Sequence, residues 1–132
     1  MSQVNNHKWG KELVWAMQPG YVAKILLFEN KNAKTDLRFH SDANKTFFIN
    51  NGKFLLRFID TQSGKLLQKE LKEGDVYHAP PLHPHSWECL ETTGSINEVS
   101  NSFLPTDVFT VISANNIKWF TIYLKKKNLY TI

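Results

Sequence analysis

Residues 74–85 read Gly-Asp-Val-Tyr-His-Ala-Pro-Pro-Leu-His-Pro-His, and this stretch decides the fold. It begins with a short β-type run that ends at two prolines, which cannot donate hydrogen bonds to a strand ladder. The chain then turns and delivers His85 at the head of the next run. His40 and Asn51-Gly52 lie upstream at separations that predict one small β-barrel closed around one pocket.

Short β-type runs separated by turn residues recur along most of the chain, and no long amphipathic helix competes with them. This pattern is typical of an all-β sandwich or barrel. We predict strands, with ends good to about ±2–4 residues, at Trp9–Ala16, Tyr21–Phe28, Thr35–Phe39, Thr46–Ile49, Lys53–Asp60, Leu66–Leu71, Asp75–His78, Ser86–Leu90, Ser95–Val99 and Val108–Ile112.

Three glycine-containing dipeptides mark turns between these strands. Asn51-Gly52 predicts a hairpin, because a type I′ turn needs positive φ at both central positions and these residue types tolerate it. We therefore expect the two runs that flank it to pair antiparallel. Ser63-Gly64 and Glu73-Gly74 predict the next two turns.

Composition limits the class of protein. The 132 residues, 42% hydrophobic and 13% aromatic, suffice for one domain with a real core, here residues 1–132. The formal charge is +4, but the lysines are scattered and only two basic residues are arginines, so we expect no nucleic-acid partner. Cys89 is the single cysteine, and neither a signal peptide nor a membrane-length apolar run is found. We expect a cytoplasmic protein with no membrane partner.

The two-residue period of a β-strand predicts which side chains share the pocket. Arg38 and His40 point to the same side of their strand, opposite to Leu37 and Phe39. The rest of the predicted pocket comes from the returning strand, from the proline-rich stretch and from a lysine in the middle of an apolar strand: Lys45, His78, His83, His85 and Lys24.

These residues resemble the cupin superfamily, whose signature is two motifs that flank a hairpin. Gly74-Asp75, Pro80 and His85 hold the spacing of the second motif, with Leu82 in place of the usual glycine, and His40 and Gly52 hold that of the first. The wider stretch, about residues 9–112, is similar to small stand-alone cupins of phages and marine bacteria and to the cupin domain of mannose-6-phosphate isomerases. Residues 113–132 form an extension beyond the resemblance. The resemblance implies a jelly-roll (double-stranded β-helix) barrel and a homodimer.

In that family, four motif positions bind one divalent metal, and here they read Arg38, His40, Lys45 and His85. A lysine ammonium about 4 Å from a divalent ion costs roughly 8 kcal/mol at an effective dielectric constant near 20, and arginine adds a similar cost. A pocket with these cations instead attracts phosphate or carboxylate. We therefore expect either no cofactor or one divalent metal ion, held by His40, His85 and His83. An alternative facial set would use His40, Asp42 and His85, but it breaks the alignment of Asn51-Gly52.

Three functions remain open at this point. The first is binding of a small anionic carbohydrate or carboxylate, with isomerase- or epimerase-type chemistry in which His40 or His85 moves a proton and Arg38, Lys45, Lys24 and His78 bind the ligand. The second is a non-catalytic binding or assembly module whose metal site has degenerated. The third is a metal-dependent oxygenase or isomerase.

The C-terminal extension has strand character at Trp119–Leu124. An apolar terminal strand with a bare edge would favour aggregation. We therefore expect it to pair with its own sheet or with a partner subunit.

Overall fold

The computed structural model describes residues 3–101 and 106–131 and consists mainly of β-strands. The strands are β1 (Gln3–His7), β2 (Gly10–Gln18), β3 (Tyr21–Phe28), β4 (Leu37–Phe39), β5 (Lys45–Asn51), β6 (Lys53–Ile59), β7 (Leu66–Lys72), β8 (Val76–Ala79), β9 (His85–Cys89), β10 (Gly94–Ser100), β11 (Phe109–Ile112) and β12 (Tyr130–Thr131). A 3₁₀ turn at Ala114–Asn116 leads into the helix α1 (Ile117–Lys126).

The strands form two six-stranded sheets that pack face to face. Sheet A has the order β1-β2-β3-β10-β5-β8, and sheet B has the order β11-β4-β9-β6-β7-β12. The pairings are antiparallel except for β12, which runs parallel to β7. The structure confirms the predicted all-β, jelly-roll architecture, because the central strands of each sheet pair with strands from distant parts of the sequence, such as β3 with β10 and β4 with β9.

The space between the sheets is divided into an apolar end and a charged end. Along three neighbouring strands of sheet A, the inward positions change from apolar to charged: Phe28 and Leu26 to Lys24 on β3, Ile49 and Phe47 to Lys45 on β5, and Ile96 to Glu98 on β10. The registers place Glu98 opposite Lys24 and Ser100 opposite Lys45, so the charged side chains lie at one end of the barrel.

The turn at Asn51-Gly52 is present, but the predicted hairpin pairing is wrong. Strand β5 belongs to sheet A and pairs with β10 and β8, whereas β6 belongs to sheet B and pairs with β7 and β9. Gly52 has φ +85°, and a Cβ there would lie 3.0 Å from the Gly94 Cα, so the glycine lets the chain cross between sheets in close contact with another turn. The turn at Ser63-Gly64 does form an antiparallel hairpin, between β6 and β7.

The predicted strand at Trp119–Leu124 is also wrong, because these residues lie in α1. Ile117 and Leu124 are buried against Leu37 and Leu66 of sheet B, with Phe120 packed beside them. Their spacing of three and four residues gives the helix one apolar face. Lys125 and Lys126 lie in the last helical turn, where positive charge is favourable. The extension thus covers its own sheet, partly by a helix and partly by β12.

The ten strands predicted over residues 9–112 are present with ends shifted by a few residues. Strand β1 lacks the apolar alternation that would have predicted it and forms by pairing with β2. None of the helices in the described ranges is long and apolar enough to cross a membrane.

Candidate functional site

Strand β4 places Arg38 and His40 at the charged end of the barrel. Leu37 packs under α1, and Phe39 stacks on Phe109 at a ring distance of 5.2 Å, so these residues lie on the opposite side of the strand. Arg38 pairs across the ladder with His85 of β9. The two-residue period of the strand therefore predicted correctly that Arg38 and His40 point to the same side.

Two carboxylates and two lysines form a buried ionic chain beside these residues. The Lys45 Nζ lies 3.3 Å from the Glu98 Oε2, and the Lys24 Nζ lies 3.9 Å from the same oxygen. Lys24 also approaches the Glu12 Oε2, at 3.4 Å. Lys24, Lys45 and Glu98 are each less than 10% exposed. Lys24 is therefore part of a buried ionic network at the charged end of the barrel.

Lys45 and Glu98 favour each other's charged form within this network. Burial raises the pKa of Glu98, but the charges of Lys45, Lys24 and Arg38 outweigh it and hold this pKa below its ordinary value. Burial lowers the pKa of Lys45, and the Glu98 carboxylate opposes that change. Each group therefore stabilises the charged form of the other.

In the part of the chain that the structure describes, this network leaves Arg38 without a carboxylate partner. Among the described residues, no carboxylate oxygen lies within 4.0 Å of its guanidinium. Three cations, Arg38, Lys24 and Lys45, thus face two carboxylates, Glu12 and Glu98. With neutral imidazoles, the described side chains of this network carry one excess positive charge.

His40 and His85 are buried and neutral. Their ring centroids lie 6.5 Å apart. Burial, followed by the charges of Lys45 and Arg38, lowers the pKa of His40 to about 3. Burial is also the main reason that the pKa of His85 falls to about 4, with the same two cations adding to it.

The hydrogen bond of His85 fixes its tautomer. Its Nδ1 lies 2.9 Å from the His83 carbonyl oxygen, which can only accept, so Nδ1 carries the proton and donates it. In the neutral ring the Nε2 is then left as a hydrogen-bond acceptor. The ring also packs against Phe47 at 5.3 Å and Tyr77 at 6.0 Å.

The structure separates two other predicted residues from this group. His78 is exposed on the outer face of sheet A, where its Nδ1 lies 3.1 Å from the Thr46 Oγ1, because its neighbour Tyr77 takes the inward position on β8. The prediction that His78 lines the pocket is therefore wrong. The His83 Nδ1 lies 2.8 Å from the Pro81 carbonyl oxygen, so this ring bonds within its own loop.

The donors at this end of the barrel do not fit a divalent metal ion. Two of the four positions are cations, Arg38 and Lys45, and the nearby carboxylate of Glu98 is already bound to Lys45. The described residues contain no group of three His, Cys, Asp or Glu side chains arranged to hold a metal. The Asp42 alternative does not supply a ligand either, because that residue is exposed and its backbone N–H donates to Asp107.

Sequence reasoning missed four residues of this site. Glu12 and Glu98 carry weaker sequence signals than Lys24, because β10 reads Gly-Ser-Ile-Asn-Glu-Val-Ser and β2 begins Gly-Lys-Glu, so neither carboxylate interrupts an apolar run. Tyr77 and Trp87 line the boundary between the charged end and the apolar end. Burial raises the pKa of Tyr77 to about 12, so its hydroxyl keeps its proton. The Trp87 Nε1 is buried and has no hydrogen-bond partner among the described residues.

Comparison with known proteins identifies the family. The cupin family model matches residues 17–117, and the chain therefore belongs to the cupin family. This confirms the resemblance drawn from the two motifs. No curated protein sequence gives a significant match.

Several solved structures share the fold. The capsular polysaccharide assembling protein CapF from Staphylococcus aureus has a TM-score of 0.75 and 14% identity, covering 85% of this chain and 33% of that protein. Oxalate decarboxylase from Bacillus subtilis has a TM-score of 0.73 and 16% identity, covering 97% of this chain and 35% of that protein. Peruvianin-I, a cysteine peptidase from Thevetia peruviana latex, has a TM-score of 0.62 and 22% identity, covering 71% of this chain and 57% of that protein.

This chain spans about a third of the length of the first two proteins. The names of these three proteins describe three different activities. At these identities the similarity shows the fold alone, and the function has to be argued from the site.

Proposed function

We propose that the charged end of the barrel binds a small molecule that carries one carboxylate, and that Arg38 is its main ionic contact. The observation that carries this proposal is the single excess positive charge in a buried ionic layer. A carboxylate would neutralise that charge and would match the planar fork of the guanidinium. A doubly charged anion would leave one negative charge without a partner.

The remaining polar groups favour a ligand that also carries hydroxyls. The His85 Nε2 accepts hydrogen bonds, and the Tyr77 hydroxyl can donate one. Tyr77 packs against the aromatic rings of Phe47 and Trp87 and thus offers an apolar surface beside its hydroxyl. Small hydroxy acids and sugar acids combine one carboxylate with several hydroxyls, and they are the ligand class that we propose.

The pKa values favour binding over proton transfer in the free protein. A general base works best when its pKa lies near the working pH. With pKa values of about 3 and about 4, the imidazoles of His40 and His85 are neutral at pH 7, but they are weak bases. Isomerase or epimerase chemistry would require the bound carboxylate to raise these values by offsetting the charges of Arg38 and Lys45.

Thermal unfolding with a ligand panel tests the proposal. The panel contains sugar acids, small hydroxy acids, sugar phosphates and the neutral sugars that match the acids. A carboxylate present at about 100 times its dissociation constant should stabilise the protein by about 2.7 kcal/mol. We expect the neutral sugars to have little effect.

Two variants locate the binding site. Arg38→Gln should abolish the shift in melting temperature, whereas Lys11→Gln, at an exposed position on β2, should retain it. An equal response to neutral sugars, or a full carboxylate response in Arg38→Gln, would refute the proposal. Proton-NMR spectra of each stabilising ligand, before and after incubation, show whether the protein also converts it.

A further inference from the structure

A groove of about 370 Å³ is formed where three distant segments of the chain meet. Its walls come from the turn between β1 and β2, from the loop that precedes β4 and from the beginning of α1. We name it the lysine groove and define it by four of its lining residues, Lys8, Lys34, Lys118 and Trp119. Its volume lies within the range of about 300–1,000 Å³ that is typical of small-molecule sites. Arg38, His40 and His85 do not line it, so it is separate from the candidate site at the charged end of the barrel.

Positive charge is concentrated in the lysine groove. Lys8, Lys34 and Lys118 line it, whereas no aspartate or glutamate of the described ranges does. None of these three lysines lies within 4.0 Å of a described carboxylate oxygen. Like charges around one groove repel one another, and an anion bound between them removes that repulsion. The lysine groove therefore has the charge of a site for an anion.

Trp119 gives the same groove an aromatic wall. Its side chain is 70% exposed, although tryptophan is highly buried on average in folded proteins. The packing of α1 does not require this ring, because Ile117 and Leu124 make the buried contact with sheet B. Exposed aromatic rings are the platforms on which proteins stack planar bases. The ring of Trp119 is therefore available to a planar ligand.

The walls of the lysine groove are fixed without a ligand. In the turn between β1 and β2, a Cβ at Gly10 would collide with the Leu27 carbonyl oxygen, so the turn is closely packed against β3. In the loop before β4, the Asn32 backbone N–H donates to the Cys89 carbonyl oxygen at 2.7 Å. The Lys34 Nζ donates to the Asn32 carbonyl oxygen at 3.1 Å, which leaves two of its three N–H donors for a ligand. A preformed site loses less conformational entropy on binding.

We propose that the lysine groove binds a free nucleotide, with the base stacked on Trp119 and the phosphates bound by Lys8, Lys34 and Lys118. A simple anion would leave the exposed ring without a partner, and an uncharged aromatic molecule would leave the three lysines without one. A nucleotide supplies both a planar ring and several negative charges. The volume of the groove is that of a small-molecule site, which favours a free nucleotide over a nucleic-acid strand.

Isothermal titration calorimetry with ADP tests the proposal. We expect one ADP per chain, with a dissociation constant at least about tenfold lower than those of adenosine and of inorganic phosphate, since each of these lacks one of the two recognised groups. Added salt should weaken the binding of ADP, because exposed charges are screened. A short single-stranded oligoadenylate should bind no more tightly than ADP.

Two variants and two matched controls locate the binding site. Trp119→Ala, and the double variant Lys34→Gln with Lys118→Gln, should each weaken the binding of ADP at least about tenfold. Trp15→Ala removes a tryptophan that is 59% exposed on β2 and does not line the groove. Lys126→Gln removes an exposed lysine from the other end of α1. Both controls should keep the affinity of the wild type, and circular dichroism checks that each variant is folded.

The proposal is overturned if ADP does not bind at millimolar concentration, or if the two groove variants keep the affinity of the wild type. It is also overturned if inorganic phosphate binds as tightly as ADP, which would show a simple anion site. Much tighter binding of the oligoadenylate would overturn it in favour of a nucleic-acid strand. Arg38→Gln should retain the binding of ADP, so the result is independent of the carboxylate site, and a loss in that variant would place ADP in the barrel and overturn the proposal.

Discussion

The burial of two neutral imidazoles predicts a strong loss of stability in mild acid. The pKa values of His40 and His85 are about 3 and about 4 in the folded protein, against 6.5 for an ordinary histidine. Between about pH 4 and pH 6.5, the folded chain therefore binds fewer protons than the unfolded chain. The contribution of the two neutral imidazoles to the free energy of unfolding is fully present above about pH 6.5 and is lost as the pH falls toward 4.

The size of the effect follows from the difference in proton binding. At about pH 5, each unfolded imidazole gains roughly 2 kcal/mol from protonation that the folded one does not, because one pKa unit corresponds to about 1.36 kcal/mol. The two residues together should cost about 4 kcal/mol, which is a large part of the 5–15 kcal/mol typical of a domain. Most carboxylates are still ionised at this pH, so the imidazoles dominate the change.

Urea unfolding monitored by tryptophan fluorescence measures this loss at about pH 7.5 and about pH 5. The double variant His40→Gln with His85→Gln should lose most of the pH dependence, even if it is less stable at both pH values. His78→Gln should keep it, because His78 is exposed. A wild-type change below about 1 kcal/mol would show that these imidazoles are not buried in the neutral form.

Two further predictions concern the residues that support the site. Asp107 accepts hydrogen bonds from the backbone N–H groups of Ser41, Asp42 and Ala43, which follow His40 directly. Asp107→Asn should therefore lower the melting temperature and weaken ligand binding. Asp42→Asn changes an exposed side chain and should have little effect in the same thermal scan. Leu124→Ala should destabilise the protein by about 2–3 kcal/mol in urea unfolding, because it removes a buried contact between α1 and sheet B. Tyr123→Ala, at a position that is 57% exposed, should cost much less, and equal losses would contradict the packing of the helix.

Local alternation was enough to place some of the candidate site residues. Arg38 and His40 were placed on one side of β4 by the two-residue period alone, and the prolines after β8 delivered His85 as expected. Local signals failed where long-range packing decided the outcome. Asn51-Gly52 predicts a turn, but the two residues carry no information on whether the next strand stays in the same sheet.

The C-terminal extension shows a second limit. Trp119–Leu124 is apolar at nearly every position, so period two and period 3.6 are both compatible with it. The helix is selected by the surface of sheet B, where Leu37 and Leu66 receive Ile117 and Leu124. These partners are distant in sequence and could not be identified from the extension itself.

We propose that the buried ionic chain serves the binding site rather than stability. Replacing buried ion pairs with apolar residues of similar volume is often neutral or stabilising by 1–4 kcal/mol, because the desolvation penalty can exceed the Coulombic gain. The apolar end of the same barrel shows that these strands can present Leu26, Phe47 and Ile96 inward. In this proposal, the layer with Lys24, Lys45 and Glu98 holds Arg38 and two neutral imidazoles in a defined electrostatic environment.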